Sequence, residues 1–160
     1  MDQEAVFTLA EAHTKFAKQM NGRVWDLLGK SNRSPAENEE MVEAAYASKY
    51  HWRFAGSEVN QQRGEWLLAR VFTVLSQAGP AVEHARRCLE LTLAHGEQMM
   101  DFDVAFAYEG IARALALSGK TAEAKSFLDQ AQSAGAKIAD AEDKQIFDSD
   151  IDSGELYGLR

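Results

Sequence analysis

The stretch Ala105-Phe-Ala-Tyr-Glu-Gly-Ile-Ala-Arg-Ala-Leu-Ala-Leu-Ser-Gly-Lys-Thr-Ala-Glu-Ala-Lys-Ser-Phe-Leu-Asp-Gln-Ala131 decides the fold. Its apolar residues recur at steps of three and four, which is the spacing of one face of an α-helix. Gly119-Lys120-Thr121 interrupts the pattern, so the stretch predicts two helices joined by a short turn and packed antiparallel. Its small residues let the two helices cross closely, while its large residues fill the gaps between them.

The same periodicity extends to both sides of this stretch. It predicts helices over about 3–28, 35–55, 58–77 and 80–95, and a short acidic helix after residue 136. Ser34-Pro35-Ala36-Glu37 indicates a helix start, because serine suits the N-cap, proline the first helical position, and the glutamate completes a capping box. In Ala78-Gly79-Pro80, we expect the glycine to take the left-handed position after a helix end.

These elements predict an all-α fold with about seven helices. Only two prolines occur in the chain, and no segment shows period-two alternation bounded by hairpin turns. The helical hairpins are expected to stack in a single domain over residues 1–160. Within it, residues 140–160 are expected to form an acidic capping helix and tail.

The opening stretch resembles a tetratricopeptide repeat. The positions of the repeat pattern are occupied, in order, by Tyr108, Ile111, Ala112, Leu115, Gly119, Ala124, Leu128 and Ala131. The preceding hairpin is similar through Trp66, Gly79, Ala85 and Leu89, and the segments 64–70 and 84–90 resemble short bacterial proteins with helical repeats. The resemblance implies antiparallel hairpins stacked as a short right-handed α-α superhelix.

Charge and composition narrow the classes of partner. The net charge of −8 disfavours nucleic acid and anionic membranes, because binding to phosphates depends on lysine and arginine. No apolar run approaches the roughly 20 residues of a membrane helix. The first residues carry acidic rather than basic charge, and the single cysteine cannot form an internal disulfide. Together these features favour a cytoplasmic protein.

The resemblance also implies a concave groove that holds peptides, lined by the first helix of each hairpin. By this comparison Glu109 and Arg113 face the groove, Arg70 and Trp66 lie on the preceding hairpin, and His51 and Arg53 add a wall. The alternative is an internal Glu109–Arg113 ion pair with core aromatic residues, since both arrangements are ordinary in helical proteins.

No catalytic or metal-binding set emerges from the sequence, and no cofactor is expected. His84 and Cys88 share a helical face, but no third group that would orient them can be named. His13 is expected to be a hydrogen-bonded histidine in the core or at an interface. The segment 148–154 imitates the start of a calcium loop, yet Leu159 stands where the bidentate glutamate is needed, so a solvated acidic tail is favoured.

Three functional hypotheses follow from these observations. We favour a non-enzymatic interaction module that binds a peptide or partner protein in its groove. The alternative from another class is a helical-bundle enzyme or small-ligand-binding protein, whose pocket between the early helices contains His51 or His84. A third hypothesis is a homodimer formed through the apolar residues of the first helix.

Overall fold

The structure is a computed structural model that describes residues 6–159. In this range it contains seven α-helices, one short 3₁₀ helix at Gly96–Gln98 and no strand, which confirms the prediction of an all-α fold. The α-helices are α1 (Leu9–Leu28), α2 (Pro35–Ala55), α3 (Glu58–Val74), α4 (Ala78–Ala94), α5 (Asp101–Leu117), α6 (Thr121–Gly135) and α7 (Ala141–Ser153). None of these helices is long and apolar enough to cross a membrane.

The helices pack as three consecutive hairpins, α1 with α2, α3 with α4 and α5 with α6. Each hairpin also packs against the next, and α3 contacts α5 directly. One continuous hydrophobic core runs through all three hairpins. Its buried members include Leu27, Met41, Leu68, Val71, Ile111, Leu115 and Leu128. Because α5 contacts α3, α4, α6 and α7, it is buried along most of its length.

Two helices begin at capping boxes. At the start of α2, the N–H of Ser34 donates to the side chain of Glu37, and the N–H of Glu37 donates to the hydroxyl of Ser34. Pro35 occupies the first turn, as the sequence predicts. Thr8 and Glu11 form the same motif at the start of α1. The sequence predicted that α1 starts at Gln3, which lies outside the described residues; within them α1 begins only at Leu9.

The turn between α3 and α4 differs from the prediction. The left-handed residue is Ser76, with φ of 58°, whereas Gly79 lies inside the first turn of α4. The N–H of Gln77 donates to the carbonyl of Phe72 and closes the end of α3, which stops at Val74. This bond pattern needs one residue with positive φ just after the helix end. Ser76 occupies that position, three residues before Gly79.

The acidic segment after residue 140 forms a helix that packs on the last hairpin. Asp140 caps the start of α7 by accepting hydrogen bonds from the N–H groups of Glu142 and Asp143. The ring of Phe147 is buried against Phe106 of α5 and lies directly on Gly135 of α6, where any side chain would collide with it. This contact fixes α7 beside the hairpin formed by α5 and α6.

Candidate functional site

Helices α1, α3, α5 and α7 enclose an open cavity of about 870 Å³, which we call the groove. The first helices of the three hairpins thus share this surface, and α7 forms an additional wall. The groove is lined by Asn21, Trp25, Gln62, Arg63, Trp66, Leu67, Arg70, Met100, Phe102, Asp103, Phe106, Asp143, Gln145, Ile146, Ser149, Asp150 and Ser153.

Aromatic rings form the floor of the groove. Trp25 of α1 stacks on Trp66 of α3 with 5.9 Å between ring centroids. Phe106 of α5 meets Trp66 edge-on at 5.5 Å. Gly110, one turn after Phe106, lies against the indole of Trp66, and a methyl group there would be only 3.3 Å from it. The sequence therefore places a glycine on α5 where the tryptophan of α3 needs room.

The rim of the groove carries large apolar side chains that remain in contact with solvent. Trp25 is 46% exposed, Met100 57% and Ile146 49%. They come from α1, from the residue before α5 and from α7, so they surround the opening from three sides. Exposed apolar residues that converge on one cavity are typical of a binding site, whereas single scattered ones need no explanation.

One end of the groove carries an arginine that is already paired. Arg63 donates to both carboxylate oxygens of Asp103, at 2.8 and 3.1 Å. The hydrogen bond to Asp103 raises the pKa of Arg63, and Asp143 adds to this effect from beyond ion-pair distance. Asp103 is buried and also accepts the backbone N–H of Met100. Asp143 itself forms no ion pair with any residue in the range 6–159.

Gln62, in the groove wall, is buried and keeps one hydrogen-bonding atom unused. Its Nε2 donates to Oγ1 of Thr92 and to the carbonyl oxygen of Asp103. Because a carbonyl only accepts, this contact fixes the orientation of the amide. The remaining atom, Oε1, has no hydrogen-bond partner among the described residues. This acceptor is buried inside the wall and is not exposed to the groove.

The other end of the groove is closed by a network of charges, which we call the Arg70 network. Arg70 of α3 donates to both oxygens of Asp150 on α7, at 2.6 and 3.2 Å, and its Nη1 lies 3.6 Å from Glu109. Arg113 of α5 pairs with Glu109 and Asp150 and donates to the carbonyl oxygens of Asp150 and Glu155. The two arginines thus hold α7 in place.

The predicted groove residues fall into three groups. Trp66 and Arg70 line the groove. Arg70 also binds Asp150 of α7. Glu109 and Arg113 are buried in the Arg70 network, where they form the internal ion pair that was the alternative to a groove-facing position. His51 and Arg53 lie on α2, away from the groove lining. A binding role for these six residues stays a prediction.

The outer side of the first hairpin carries a pair of histidines. The Nδ1 atoms of His13 and His51 are 2.8 Å apart, and His13 stacks on Phe54 at 4.6 Å. His13 is therefore hydrogen-bonded, as expected for this position. Spacing along the sequence could not reveal the pair, because its members lie on different helices.

A second network, which we call the Glu65 network, joins α2, α3 and α4. His84 is bonded through Nδ1 to Glu65 at 2.6 Å and through Nε2 to the phenol of Tyr46 at 2.8 Å. Lys49 lies 3.0 Å from the other oxygen of Glu65. Burial raises the pKa of Glu65, but hydrogen bonds from His84 and Lys49 outweigh it, so the pKa stays below its ordinary value of 4.5.

Cys88 does not form the thiolate-imidazole pair that its spacing from His84 permits. The ring nitrogens of His84 bind Glu65 and Tyr46 instead. Burial raises the pKa of the Cys88 thiol to about 12, so it stays protonated near neutral pH. A thiol in this state is a poor nucleophile.

The segment that imitates a calcium loop is helical. Residues 148–153 belong to α7, where Asp148 pairs with Lys144 and Asp150 with Arg70. Among residues 6–159 no group of three or more histidine, cysteine, aspartate or glutamate side chains is arranged to hold a metal ion.

Comparison with protein-family models, curated proteins and solved structures found no match to this chain. The function must therefore be inferred from the groove itself. Sequence reasoning missed Trp25, Asp143, Ile146 and Asp150 as groove residues. Trp25 was the one of them with a signal in the sequence, because a large aromatic residue there lies outside the apolar stripe of its helix.

Proposed function

We propose that the chain is a non-enzymatic interaction protein, built from tetratricopeptide-like hairpins, whose groove binds a peptide or a segment of a partner protein. Three consecutive hairpins that each pack on the next support this architecture. The lining of the groove by α1, α3 and α5 agrees with it, because in such arrays the first helix of each hairpin faces the concave side. A cytoplasmic location belongs to the same proposal, supported by the single unpaired cysteine.

The observation that carries the proposal is the exposed apolar rim above an aromatic floor. Trp25, Met100 and Ile146 would lose their contact with water if a ligand filled the groove. Burial of apolar surface stabilises a complex by roughly 25 cal/mol per Å² before the costs of association are subtracted. Tryptophan and methionine are also among the residues enriched at the centres of protein interfaces.

The α7 wall offers both polar and apolar contacts to a peptide in the groove. The α7 wall is held to α3 and α5 mainly by the Arg70 network and by Phe147. It exposes polar side chains such as Gln145 and Ser149 to the groove beside Ile146. Alternating polar and apolar groups along a helix can contact both the backbone and the side chains of an extended peptide.

Selection from a displayed library of random peptides tests the proposal. The selected peptides are synthesised, and their affinities are measured by fluorescence anisotropy for the wild type, Trp25→Ala and Phe54→Ala. Phe54 is a matched control, because it is also aromatic and exposed but lies outside the groove lining. We expect Trp25→Ala to weaken binding about tenfold, as is typical of an aromatic anchor, and Phe54→Ala to leave it unchanged.

The proposal fails if no peptide is enriched, or if enriched peptides bind the Trp25→Ala protein as tightly as the wild type. Circular dichroism of each variant checks that its helices are intact. Half of the Trp25 side chain is already in water, so its loss is expected to leave the fold in place.

A further inference from the structure

The groove is lined by more negative than positive side chains, and one of the negative side chains has no ion-pair partner among the described residues. Three carboxylates, of Asp103, Asp143 and Asp150, line it together with two guanidinium groups, of Arg63 and Arg70, which leaves one negative charge. The charge of each arginine is balanced, since each donates to two oxygens of one aspartate. Asp143 is the charged group that remains without an ion pair among the described residues lining the groove.

This distribution discriminates between anionic and cationic ligands. A carboxylate that enters the groove would meet two arginines whose charges are already balanced by Asp103 and Asp150, and it would be repelled by the unpaired charge of Asp143. It would also approach a protein with a net charge of −8. A cation meets neither obstacle, because Asp143 and the net charge of the protein both attract it.

The aromatic floor adds a second feature that favours a cation. Arg70 already lies over Trp66, with 5.9 Å between its guanidinium carbon and the ring centroid. Trp25, which stacks on Trp66, is 46% exposed and is therefore the more accessible of the two indoles. The face of an indole attracts ammonium and guanidinium groups within about 6 Å of its centroid.

We infer that the occupant of the groove presents a lysine or arginine side chain, which lies against Trp25 and pairs with Asp143. This inference rests on the proposed peptide-binding function and adds the chemical class of the peptide. The partner is thus a basic segment of a protein, with apolar neighbours that contact Met100 and Ile146.

Synthetic peptides that differ in one residue test the inference. They carry lysine, norleucine or glutamate at one central position, between leucine and phenylalanine. Binding is followed by tryptophan fluorescence in a Trp52→Phe background, because Trp52 lies on α2 and the other two tryptophans line the groove. We expect the lysine peptide to bind about tenfold more tightly than the glutamate peptide, from cation–π and ion-pair contributions together.

Asp143→Asn and Glu142→Gln form a matched pair of variants. Both residues lie in the first turn of α7, so each variant removes one charge from the protein and one favourable charge from the helix start. Only Asp143 lines the groove. We expect Asp143→Asn to weaken the lysine peptide about fivefold without affecting the norleucine peptide, whereas Glu142→Gln changes neither by more than about twofold.

Each outcome separates this inference from the proposed function. If all three peptides bind equally and Trp25→Ala weakens them, the groove binds peptides but the inference of a basic side chain is wrong. Equal effects of the two variants would mean that only net charge matters, which also overturns it. If none of the three peptides binds, the inference fails, and the library selection decides the proposed function separately.

Discussion

Two polar networks lie on different sides of α3, and they hold the protein together in different ways. Glu65 points towards α2 and α4, where it meets Lys49 and His84. Arg70, five residues later and therefore well around the helix axis, points towards α5 and α7. The Glu65 network joins the first two hairpins, whereas the Arg70 network attaches the last helix.

The networks differ in the groups that bind their carboxylates. In the Glu65 network one buried carboxylate is bound by a lysine and a histidine. In the Arg70 network two arginines bind the carboxylates of Glu109 and Asp150. The wall of the groove is thus anchored by guanidinium groups, which can hold a carboxylate through two hydrogen bonds at once.

The largest effect is expected from Arg113→Met in the Arg70 network. This change leaves Glu109, which is 1% exposed, without the arginine beside it, and removes the donor to Asp150 and Glu155 of the C-terminal segment. We expect a loss of about 3–5 kcal/mol in the free energy of unfolding, measured with urea, because the buried carboxylate of Glu109 keeps only Arg70, 3.6 Å away, as a counter-charge.

A double variant sharpens this result. Glu109→Leu combined with Arg113→Met removes both buried charges, so it should recover much of the stability lost in the single variant. Equal stabilities of the single and the double variant would show that Arg113 acts mainly through its contacts with α7 rather than through Glu109.

A smaller and pH-dependent effect is expected from Glu65→Gln. The folded-state pKa of Glu65 lies below its ordinary value of 4.5, so its charged form stabilises the fold. This contribution is complete above about pH 4.5 and is lost as the pH falls through the lower folded-state pKa. We expect the variant to lose about 1.5–3 kcal/mol at pH 7, because it removes hydrogen bonds to a charged group.

Urea unfolding at a series of pH values checks the sign of this effect. The difference in stability between wild type and Glu65→Gln should be constant from neutral pH to about pH 5 and should shrink at lower pH. Glu43→Gln, at an exposed position of α2, is the control. A difference that grows on acidification would contradict the assigned direction.

The smallest effect is expected from Tyr46→Phe at the edge of the Glu65 network. The Tyr46 hydroxyl is hydrogen-bonded to Nε2 of His84 at 2.8 Å, while Nδ1 of the same ring is bonded to Glu65. Burial raises the pKa of Tyr46 above its ordinary value of 10, so the phenol remains protonated at neutral pH. Loss of this bond should cost about 0.5–1.5 kcal/mol in thermal or urea unfolding, towards the lower end because Tyr46 is 44% exposed.

The sequence predicted those features that depend on neighbouring residues. The capping box of Ser34 and Glu37 closes within three residues, and the turn glycine Gly119 takes the left-handed conformation with φ of 81°. The prediction for Gly79 was wrong, because serine occupies the left-handed position at Ser76. Glycine favours that conformation without being required for it, so neighbouring residues compete for the role.

The candidate site was less predictable, because its contacts join distant parts of the chain. Arg70 was expected at the groove, but its pairing with Asp150, eighty residues away, was not predicted. Helical periodicity shows which face of α7 is apolar, but not which helix a single aspartate on that face will reach. Trp66 was identified from its helix, whereas its stacking partner Trp25 depends on how two hairpins are placed together.

The buried thiol of Cys88 can be used to measure how often the folded protein opens. It is the single cysteine in the sequence, and its pKa of about 12 leaves roughly one thiol in ten thousand ionised at pH 8. A thiol-specific reagent added to the native protein will thus react only with molecules whose core has transiently separated around α4. The rate of labelling therefore measures how often the helices around Cys88 open, and no engineered probe is needed.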